Sequence, residues 1–342
     1  MSNKSENTGT LQREDMVLST RVRLARNFEN AAFPNRLSVQ QAGEVVNRAA
    51  LAIAKSPMSN DFSLIFLKNN SPTDNSALVE KHLISPDLVK HAERGALLLS
   101  NDKKVSIMVC EEDHLRIQAI MSGCQLAKAY SVASQVDDYI AENDSYAFSA
   151  KYGFLTACPT NVGTGLRASF MLHLPALTML NQIEAISQAV GRLGMTVRGF
   201  YGEGSHAFGS IYQISNQITL GRSEEDIMHA LEETTMQVID KEIAAREALL
   251  KNSEVAVKDK LMRAQGILLH AYKLTSQELL QLWSDLRLGV GTGVISGVSA
   301  KKADSLLSLQ PAALSQKAGK EMTNSQRDIF RAECVKLILA EE

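Results

Sequence analysis

The stretch STRVRLARN, residues 19–27, alternates polar and apolar side chains, a pattern that predicts a β-strand. Side chains two residues apart in a strand point to the same face, so Arg21 and Arg23 are expected to lie side by side. Two guanidinium groups on one face repel each other, and a shared anion would relieve that repulsion. A solvated strand face is the other interpretation that this segment alone allows.

Three further arginines lie near predicted strand ends and have small or apolar neighbours: Arg116 after CEEDHL, Arg167 after CPTNVGTGL, and Arg198 inside MTVRGFYGEG. Together with the first two, they could neutralise a triphosphate through bidentate contacts. Phosphoryl transfer needs little beyond positioning and charge stabilisation, so an arginine cage with Mg²⁺ is sufficient for that chemistry.

The composition is that of an ordinary globular protein. The chain has 342 residues, 45% of them hydrophobic, and a formal net charge of -2. The length favours two domains, and the charge excludes a global basic field that would recruit nucleic acid. The polar start is unlike a signal peptide, and no run of 18 apolar residues occurs, which favours a cytoplasmic protein without membrane spans. The sequence has no CxxC spacing, so neither a structural zinc site nor a disulfide framework is predicted for Cys110, Cys124, Cys158 and Cys334.

Periodicity and turn residues predict mixed α and β structure up to about residue 250, and helices alone after it. Residues 1–14 are expected to form a disordered lead-in. The predicted strands are 17–24, 62–67, 96–99, 105–110, 153–158, 195–201 and 210–220. The predicted helices are 38–54, 125–142, two within 169–193, 223–252, 258–273, 276–287, 299–308 and 323–341. The glycine run at 289, 291 and 293 is expected in a loop.

The common nucleotide-binding motifs are missing from the sequence. There is no GxxxxGK[ST], which excludes a P-loop. There is no glycine-rich loop followed by VAIK, HRD and DFG, which excludes a eukaryotic-type protein kinase.

Four segments together resemble the ATP:guanido phosphotransferases, the family of arginine and creatine kinases. They are STRVRLARN (19–27), CEEDHLRIQ (110–118), CPTNVGTGLRASF (158–170) and RGFYGEGSHAFGSIYQISN (198–216). They follow the family's order and span about residues 15–245. The resemblance implies an α+β fold, with a phosphagen-kinase-like catalytic domain (15–250) whose antiparallel sheet is flanked by helices. A small all-helical C-terminal domain (251–342) would follow.

Two features make the bacterial protein-arginine kinases the most similar branch. Small-molecule guanidine kinases carry a helical domain before the first arginine strand, and about 18 residues precede STRVR here. The tail also contains RDIFRA (327–332), which matches the RDxxRA motif of the protein-arginine kinases.

The resemblance assigns roles residue by residue. Glu112 matches the catalytic base, Glu203 a second substrate carboxylate, and Cys158 the reactive cysteine. The positions matched to ATP binding are Ser19, Thr20, Arg21, Val22, Arg23, His82, Arg116, Arg167, Ala168, Ser169, Phe170, Met171, Arg198, Gly199, Phe200, Tyr201, Gly202 and Glu203. Mg²⁺ would be bound mainly through the nucleotide, with no protein metal site.

The chemistry of guanidine phosphorylation agrees with these roles. A guanidinium is protonated at neutral pH and is not nucleophilic, so the attacking nitrogen must lose a proton as the P–N bond forms. Glu112 could accept that proton, and Glu203 could hold the planar guanidinium in line with the γ-phosphate. The alternatives are a solvated strand end for Glu112, a loop charge for Glu203, and a small buried apolar side chain for Cys158.

Arg327 and Arg331 are four residues apart and would share a helix face. A solvated face is the usual interpretation of such a pattern. The resemblance implies instead a phosphoarginine-binding pocket, with both arginines on the phosphate and Asp328 on the guanidinium.

The sequence therefore predicts a protein-arginine kinase that uses ATP. The alternatives are a small-molecule guanidine kinase and a non-catalytic phosphoarginine-binding adaptor. By resemblance, the expected partners are protein substrates with exposed arginine, a zinc-binding activator protein, an ATP-dependent protease system and a second copy of the chain in a homodimer.

Overall fold

The computed structural model describes residues 13–200 and 207–340. Its centre is an eight-stranded antiparallel sheet in the order β2-β3-β4-β5-β1-β8-β10-β9, and β6 and β7 form a separate hairpin. The strands are β1 (Val17–Arg26), β2 (Phe62–Phe66), β3 (Ala96–Ser100), β4 (Val105–Val109), β5 (Leu115–Ser122), β6 (Phe148–Ser149), β7 (Gly153–Phe154), β8 (Leu166–His173), β9 (Met195–Gly199) and β10 (Ile211–Asn216).

The helices of the described residues are α1 (Val39–Lys55), α2 (Pro72–Glu80), α3 (Pro86–Lys90), α4 (Leu126–Ala141), α5 (Pro175–Met179), α6 (Ile183–Gly191), α7 (Glu224–Asn252), α8 (Glu254–His270), α9 (Ser276–Gly291), α10 (Ala300–Ser305), α11 (Pro311–Ala318) and α12 (Asn324–Ala340). Side-chain caps define several starts. Ser38 and Thr275 form capping boxes with Gln41 and Glu278, and Ser223 caps α7 through the N–H of Asp226.

The alternation of β1 separates a core face from a polar face. Val22 and Leu24 are buried in the main hydrophobic core, which α1, α4 and α7 help to form. Arg21 and Arg23 therefore point to the opposite face of the sheet. Because β1 lies between β5 and β8, this polar face is at the centre of the sheet rather than at an edge.

The helices after α7 have a second hydrophobic core. Trp283 is fully buried there, together with Leu261 and Leu268 of α8 and Val335 of α12. Ile211 of β10 belongs to this cluster, so the helical region packs directly against the sheet. The predicted α+β class, with a sheet followed by helices, is confirmed, whereas the domain boundaries at 14 and 250 stay predictions.

Three parts of the secondary-structure prediction are wrong. Residues 169–173 are not helical but complete β8, which pairs with both β1 and β10. Because β8 has a neighbouring strand on each side, most of its side chains are buried, and a mostly apolar run of this kind is difficult to distinguish from a helix. The strand predicted at 153–158 ends at Phe154, and Gly289 and Gly291 lie in α9 rather than in a loop. The prediction also lacked β5, α2, α3 and α11.

Candidate active site

A cavity of about 340 Å³ opens on the polar face of the sheet. All five arginines identified from the sequence line it, together with Glu112 and Gln213. Strand register explains how they meet. Arg23 lies directly opposite Arg167 on β8, Arg116 on β5 is paired with Ala25, and Arg198 on β9 is paired with Gln213. The arginines lie on four strands, β5, β1, β8 and β9, and β10 contributes Gln213 between the last two. They form one arginine cage, defined here as Arg21, Arg23, Arg116, Arg167 and Arg198.

The cage contains more positive charge than the described protein atoms compensate. Burial lowers the pKa of Arg21 to about 10, with Arg116 and Arg167 adding repulsion. Burial and three neighbouring arginines lower the pKa of Arg23 still further, and its buried Nε has no hydrogen-bond partner among the described residues. The pKa of Arg167 is also lowered, by burial and then by Arg198 and Arg116. A polyanion would satisfy these donors and remove the repulsion, so the cage fits a triphosphate.

The turn between β4 and β5 presents two carboxylates with different environments. Glu111 is buried and pairs with Arg116 at 2.7 Å. Glu112 has a side chain 43% exposed and lies 3.2 Å from the same guanidinium. Glu111 thus orients a cage arginine, whereas Glu112 is accessible at the rim of the cavity.

Asp113 ties this turn to the segment that carries Cys158. Its carboxylate accepts hydrogen bonds from Asn27 Nδ2 at 2.7 Å and from the N–H of Ala157 at 2.6 Å. Cys158 follows immediately, and its Sγ lies 3.0 Å from Thr160 Oγ1, a residue that lines the cavity. Cys158 and Glu112 are both close enough to Arg167 to oppose, electrostatically, part of the lowering of its pKa by burial and the neighbouring arginines. The base and cysteine candidates therefore stand at the same end of the cage.

A smaller cavity of about 50 Å³ adjoins the cage and shares Arg21 and Gln213 with it. Besides Arg21, its lining includes four residues that the resemblance matched to ATP binding, namely Ser19, His82, Ser169 and Met171. The ring of His82 meets Phe200 edge to face, with 4.6 Å between centroids. Burial and Arg21 lower the pKa of His82 to about 4, so the ring is neutral near pH 7. The two joined cavities form an elongated site with a charged end and a less polar end.

Two family descriptions match the chain. "ATP:guanido phosphotransferase, C-terminal catalytic domain" matches residues 44–245, more than half of the chain. The chain belongs to the ATP:guanido phosphotransferase family. "Protein-arginine kinase McsB C-terminal domain" matches residues 254–342, the region of the second core.

Curated relatives of similar length place the chain in one branch of the guanido phosphotransferases. The protein-arginine kinase of Halalkalibacterium halodurans is 47% identical over 94% of this chain and 91% of the relative. The protein-arginine kinase of Bacillus subtilis is 45% identical over 94% of this chain and 89% of the relative.

Solved structures of guanido phosphotransferases share the fold. A lombricine kinase structure matches with a TM-score of 0.61 at 26% identity and covers 72% of this chain and 71% of its own. The duplicated taurocyamine kinase from Schistosoma mansoni matches with a TM-score of 0.63 at 23% identity, over 77% of this chain and 41% of its own.

Some residues assigned by resemblance to the guanido phosphotransferases do not reach the cavities. Thr20, Val22, Ala168 and Phe170 are fully buried on the opposite, helix-covered face, because they alternate with the residues that line the site. Tyr201, Gly202 and Glu203 lie outside the described residues. Gln213 and Ser215, which line the cage, were missed, although their spacing of two in YQISN is the same signal that paired Arg21 with Arg23.

The tail motif needs one correction. Arg331 is 1% exposed and cannot contact a ligand in this conformation. Its guanidinium donates to the carbonyls of Leu274 and Leu309 and to Ser276 Oγ, at 2.7–3.0 Å. It also pairs with Asp328 at 2.6 Å. Arg331 therefore binds three segments of the helical region together, while Arg327 and Asp328 are half-buried at the surface.

Within residues 13–200 and 207–340, no cluster of three or more His, Cys, Asp or Glu side chains could hold a metal ion. No helix in that part of the chain is long and apolar enough to cross a membrane.

Proposed function

We propose that this chain transfers the γ-phosphate of ATP to arginine side chains of proteins. The observation that carries the proposal is the cavity in which five arginines from four strands bring uncompensated positive charge together beside the exposed carboxylate of Glu112. The similarity to protein-arginine kinases along 94% of the chain supports a protein rather than a small molecule as the phosphate acceptor.

The cage supplies electrostatic stabilisation. Its guanidinium groups would hold the phosphates and stabilise the charge that develops on the transferred group. The adjoining small cavity, with the neutral His82, would accept the base or sugar of the nucleotide. Mg²⁺ carried by the nucleotide would neutralise further phosphate charge. The protein's own contribution is a preformed arrangement of donors.

Glu112 is the proposed general base. It lies at the rim, where an arginine side chain could enter beside the end of a triphosphate, and it could accept the proton lost by the attacking nitrogen. By resemblance alone, Glu203 is proposed to orient the guanidinium. Cys158, beside Thr160 and Arg167, is proposed to adjust the charge around the substrate without forming a covalent bond to it.

A cavity of about 620 Å³ supports the proposal of a protein substrate. It shares Glu112 and Arg116 with the cavity of the cage, and its other walls include Asn35, Asp87 and His91. This neighbouring volume would leave space for the polypeptide on either side of a target arginine.

A second, phosphoarginine-binding site is proposed on the tail, at Arg327 and Asp328. The similarity of residues 254–342 to the C-terminal domain of protein-arginine kinases and the partial exposure of both side chains support it. Arg331 would hold the site together rather than contact the ligand. By resemblance we also propose a homodimer, a zinc-binding activator and an ATP-dependent protease as partners, with a role in stress response and protein quality control.

The test is mass spectrometry of an arginine-containing protein after incubation with the enzyme, ATP and Mg²⁺, under acid-free handling that preserves the P–N bond. We expect phosphoarginine in the protein and little phosphorylation of free arginine. Phosphorylation of free arginine alone would indicate a small-molecule kinase. No phosphoarginine in either sample, with phosphoarginine still bound by the tail, would indicate an adaptor.

A further inference from the structure

Residues 80–85 connect α2 to α3 and pass beside the small cavity. This segment, called the strap below, is attached to the rest of the molecule at its start, middle and end. The three attachments involve different parts of the fold, which gives the strap a position between the C-terminal helices and the arginine cage.

The start of the strap is fastened to the C-terminal helices. Both carboxylate oxygens of Glu80 accept hydrogen bonds from the first turn of α11, at 2.8 Å from the N–H of Ala312 and 2.9 Å from that of Ala313. A carboxylate in this position forms charge-assisted bonds and is favoured by the helix dipole. The two helices are more than 200 residues apart in the sequence, so this is a tertiary contact between α2 and the C-terminal helices.

The middle of the strap carries His82. The backbone of His82 has a φ of 58°, in the left-handed region, which histidine adopts more often than most residues other than glycine. A left-handed residue is common just past the end of a helix, and the N–H of His82 donates to the carbonyl of Val79 in α2. Gln118 Nε2 donates to the His82 carbonyl at 2.9 Å, and the ring packs edge to face on Phe200. The position of His82 beside the cavity therefore depends on the end of α2 as well as on its own contacts.

The end of the strap reaches the cage. Ser85 Oγ donates to the Glu111 carboxylate, and Glu111 in turn pairs with the cage residue Arg116 at 2.7 Å. Ser85 also caps α3 by accepting from the N–H of Leu88, which fixes its own position. Ser85 is thus fixed by contacts of its own, so the part of the strap that depends on Glu80 is the part that carries His82.

We propose that Glu80 is a positioning residue for the nucleotide: by fastening the strap to α11, it holds His82 against the small cavity and makes nucleotide affinity depend on the C-terminal helices. The inference rests on the proposed function in taking the small cavity as the non-phosphate end of the ATP site. Release of Glu80 would free the end of α2 from α11, let His82 move away from the small cavity, and weaken nucleotide binding without removing any group from the cage.

The test measures nucleotide affinity directly, by calorimetry with MgADP, and the KM for ATP and kcat in the phosphorylation assay. We expect Glu80→Ala to raise both the dissociation constant and the KM roughly threefold to tenfold, with kcat within about twofold of the parent. Glu80→Gln, which keeps one acceptor oxygen, should show a smaller increase. In a His82→Ala background, Glu80→Ala should add no further loss, because the two residues would act through one contact.

Asp74→Ala is the matched control. Asp74 accepts a hydrogen bond from Gln316 Nε2 at 2.8 Å, so it joins the same two helices, α2 and α11, but does not belong to the strap. It should leave nucleotide affinity unchanged. Unchanged affinity in Glu80→Ala, an equal loss in Asp74→Ala, or an undiminished loss in the His82→Ala background would overturn the inference.

If the alanine variant does not fold, nucleotide affinity is measured for Glu80→Gln instead, and the same outcomes support or overturn the inference. Because MgADP binding needs no phosphate acceptor, the calorimetry also separates this inference from the proposed function. Absence of phosphoarginine would count against the function alone.

Discussion

At the scale of single residues, the site depends on which charges have partners and which do not. Glu111 and Glu112 are neighbours in the chain, yet one is buried against Arg116 and the other is exposed at the rim. The same contrast separates Arg331, whose guanidinium makes four hydrogen bonds, from Arg23, whose buried Nε has no partner in the described part of the chain. Function is expected where a charge is exposed or unsatisfied, and structure where it is paired.

The first residue-scale prediction concerns Glu112→Gln. This variant keeps every arginine of the cage, so its affinity for ATP should stay within about twofold of the parent. Phosphoryl transfer should fall by roughly 10²–10⁴-fold, the usual contribution of a general base. Calorimetry with nucleotide and single-turnover phosphorylation measure the two quantities. Near-normal turnover in the variant would remove Glu112 from the role of base.

The second residue-scale prediction concerns Cys158. Alkylation of its thiol should inactivate the enzyme, and bound nucleotide should slow the reaction, because the cysteine stands beside the cavity. Cys158→Ser should be impaired but active, since the role proposed for the thiol is to adjust charge without forming a covalent intermediate. Cys124→Ser serves as the control for alkylation elsewhere. A folded Cys158→Ser protein without any activity would instead indicate an essential nucleophile.

At the scale of elements, strand periodicity carries most of what the sequence could predict. The spacing of two in STRVR correctly places Arg21 and Arg23 on one face, and the structure shows the same face on β5, β8 and β9. The same periodicity shows why a contiguous ATP-contacting run at 167–171 could not place every side chain in the site, since Ala168 and Phe170 must point into the core. Resemblance to a family identifies which positions are equivalent, whereas strand geometry decides which of their side chains face the ligand.

The burial of Arg331 could not be predicted in this way. Its partners are backbone carbonyls at positions 274 and 309, and nothing in the spacing of RDIFRA indicates those contacts. Glu80 is a similar case, because its partners are N–H groups of α11, a helix that the periodicity did not reveal. Long-range contacts from side chain to backbone leave no pattern in a single sequence.

An element-scale prediction follows for α12. Arg331→Ala should lower the free energy of unfolding by about 2–4 kcal/mol, because it leaves two buried carbonyls and the Asp328 carboxylate without their donor. Arg327→Ala, on the same helix but half-buried, should change it by less than about 0.5 kcal/mol. Urea denaturation monitored by the buried Trp283 measures both values. Equal effects in the two variants would contradict the structural role given to Arg331.

At the scale of the whole molecule, the catalytic sheet and the C-terminal helices meet at His173. Its ring Nε2 lies 2.8 Å from Ser284 Oγ of α9, and its centroid is 4.8 Å from that of Trp283. Burial, with Arg246 and Arg287 nearby, lowers the pKa of His173 well below its ordinary value of 6.5. The folded protein thus keeps this ring neutral at pH values where the unfolded chain would bind a proton.

This gives a pH prediction with a definite sign. As the pH falls below 6.5, the unfolded state gains a proton at residue 173 that the folded state does not take up, so stability declines toward the lower folded pKa. The loss should approach about 1.4 kcal/mol per pH unit for one group. Urea unfolding of the parent and of His173→Gln between pH 7.5 and 5.5 should show a shallower decline in the variant. His229→Gln, at an exposed site, should behave like the parent.

A second whole-molecule prediction separates the catalytic and tail sites. Arg327→Ala or Asp328→Ala should still phosphorylate protein arginine, but free phosphoarginine should no longer change its rate or its oligomeric state. The lost coupling should be about 1–3 kcal/mol. Arg198→Ala should lose transfer while calorimetry still detects phosphoarginine binding. If Arg327→Ala lost transfer as completely as Arg198→Ala with fold and oligomer intact, the tail arginine would belong to the catalytic site.

The central position of β1 has a consequence for the newly synthesised chain. β1 is synthesised before both of its partners, and one of them, β8, is more than 140 residues further along. Pairing between β1 and β8 must therefore wait until β2 to β7 have been synthesised, and closing so long a loop slows folding. Until then β1 can pair with β5 alone, and Arg167 and Arg198 are missing from the arginine cage. A nascent or truncated chain that ends before β8 should therefore be unable to bind nucleotide, so catalytic activity reports that synthesis of the sheet is complete.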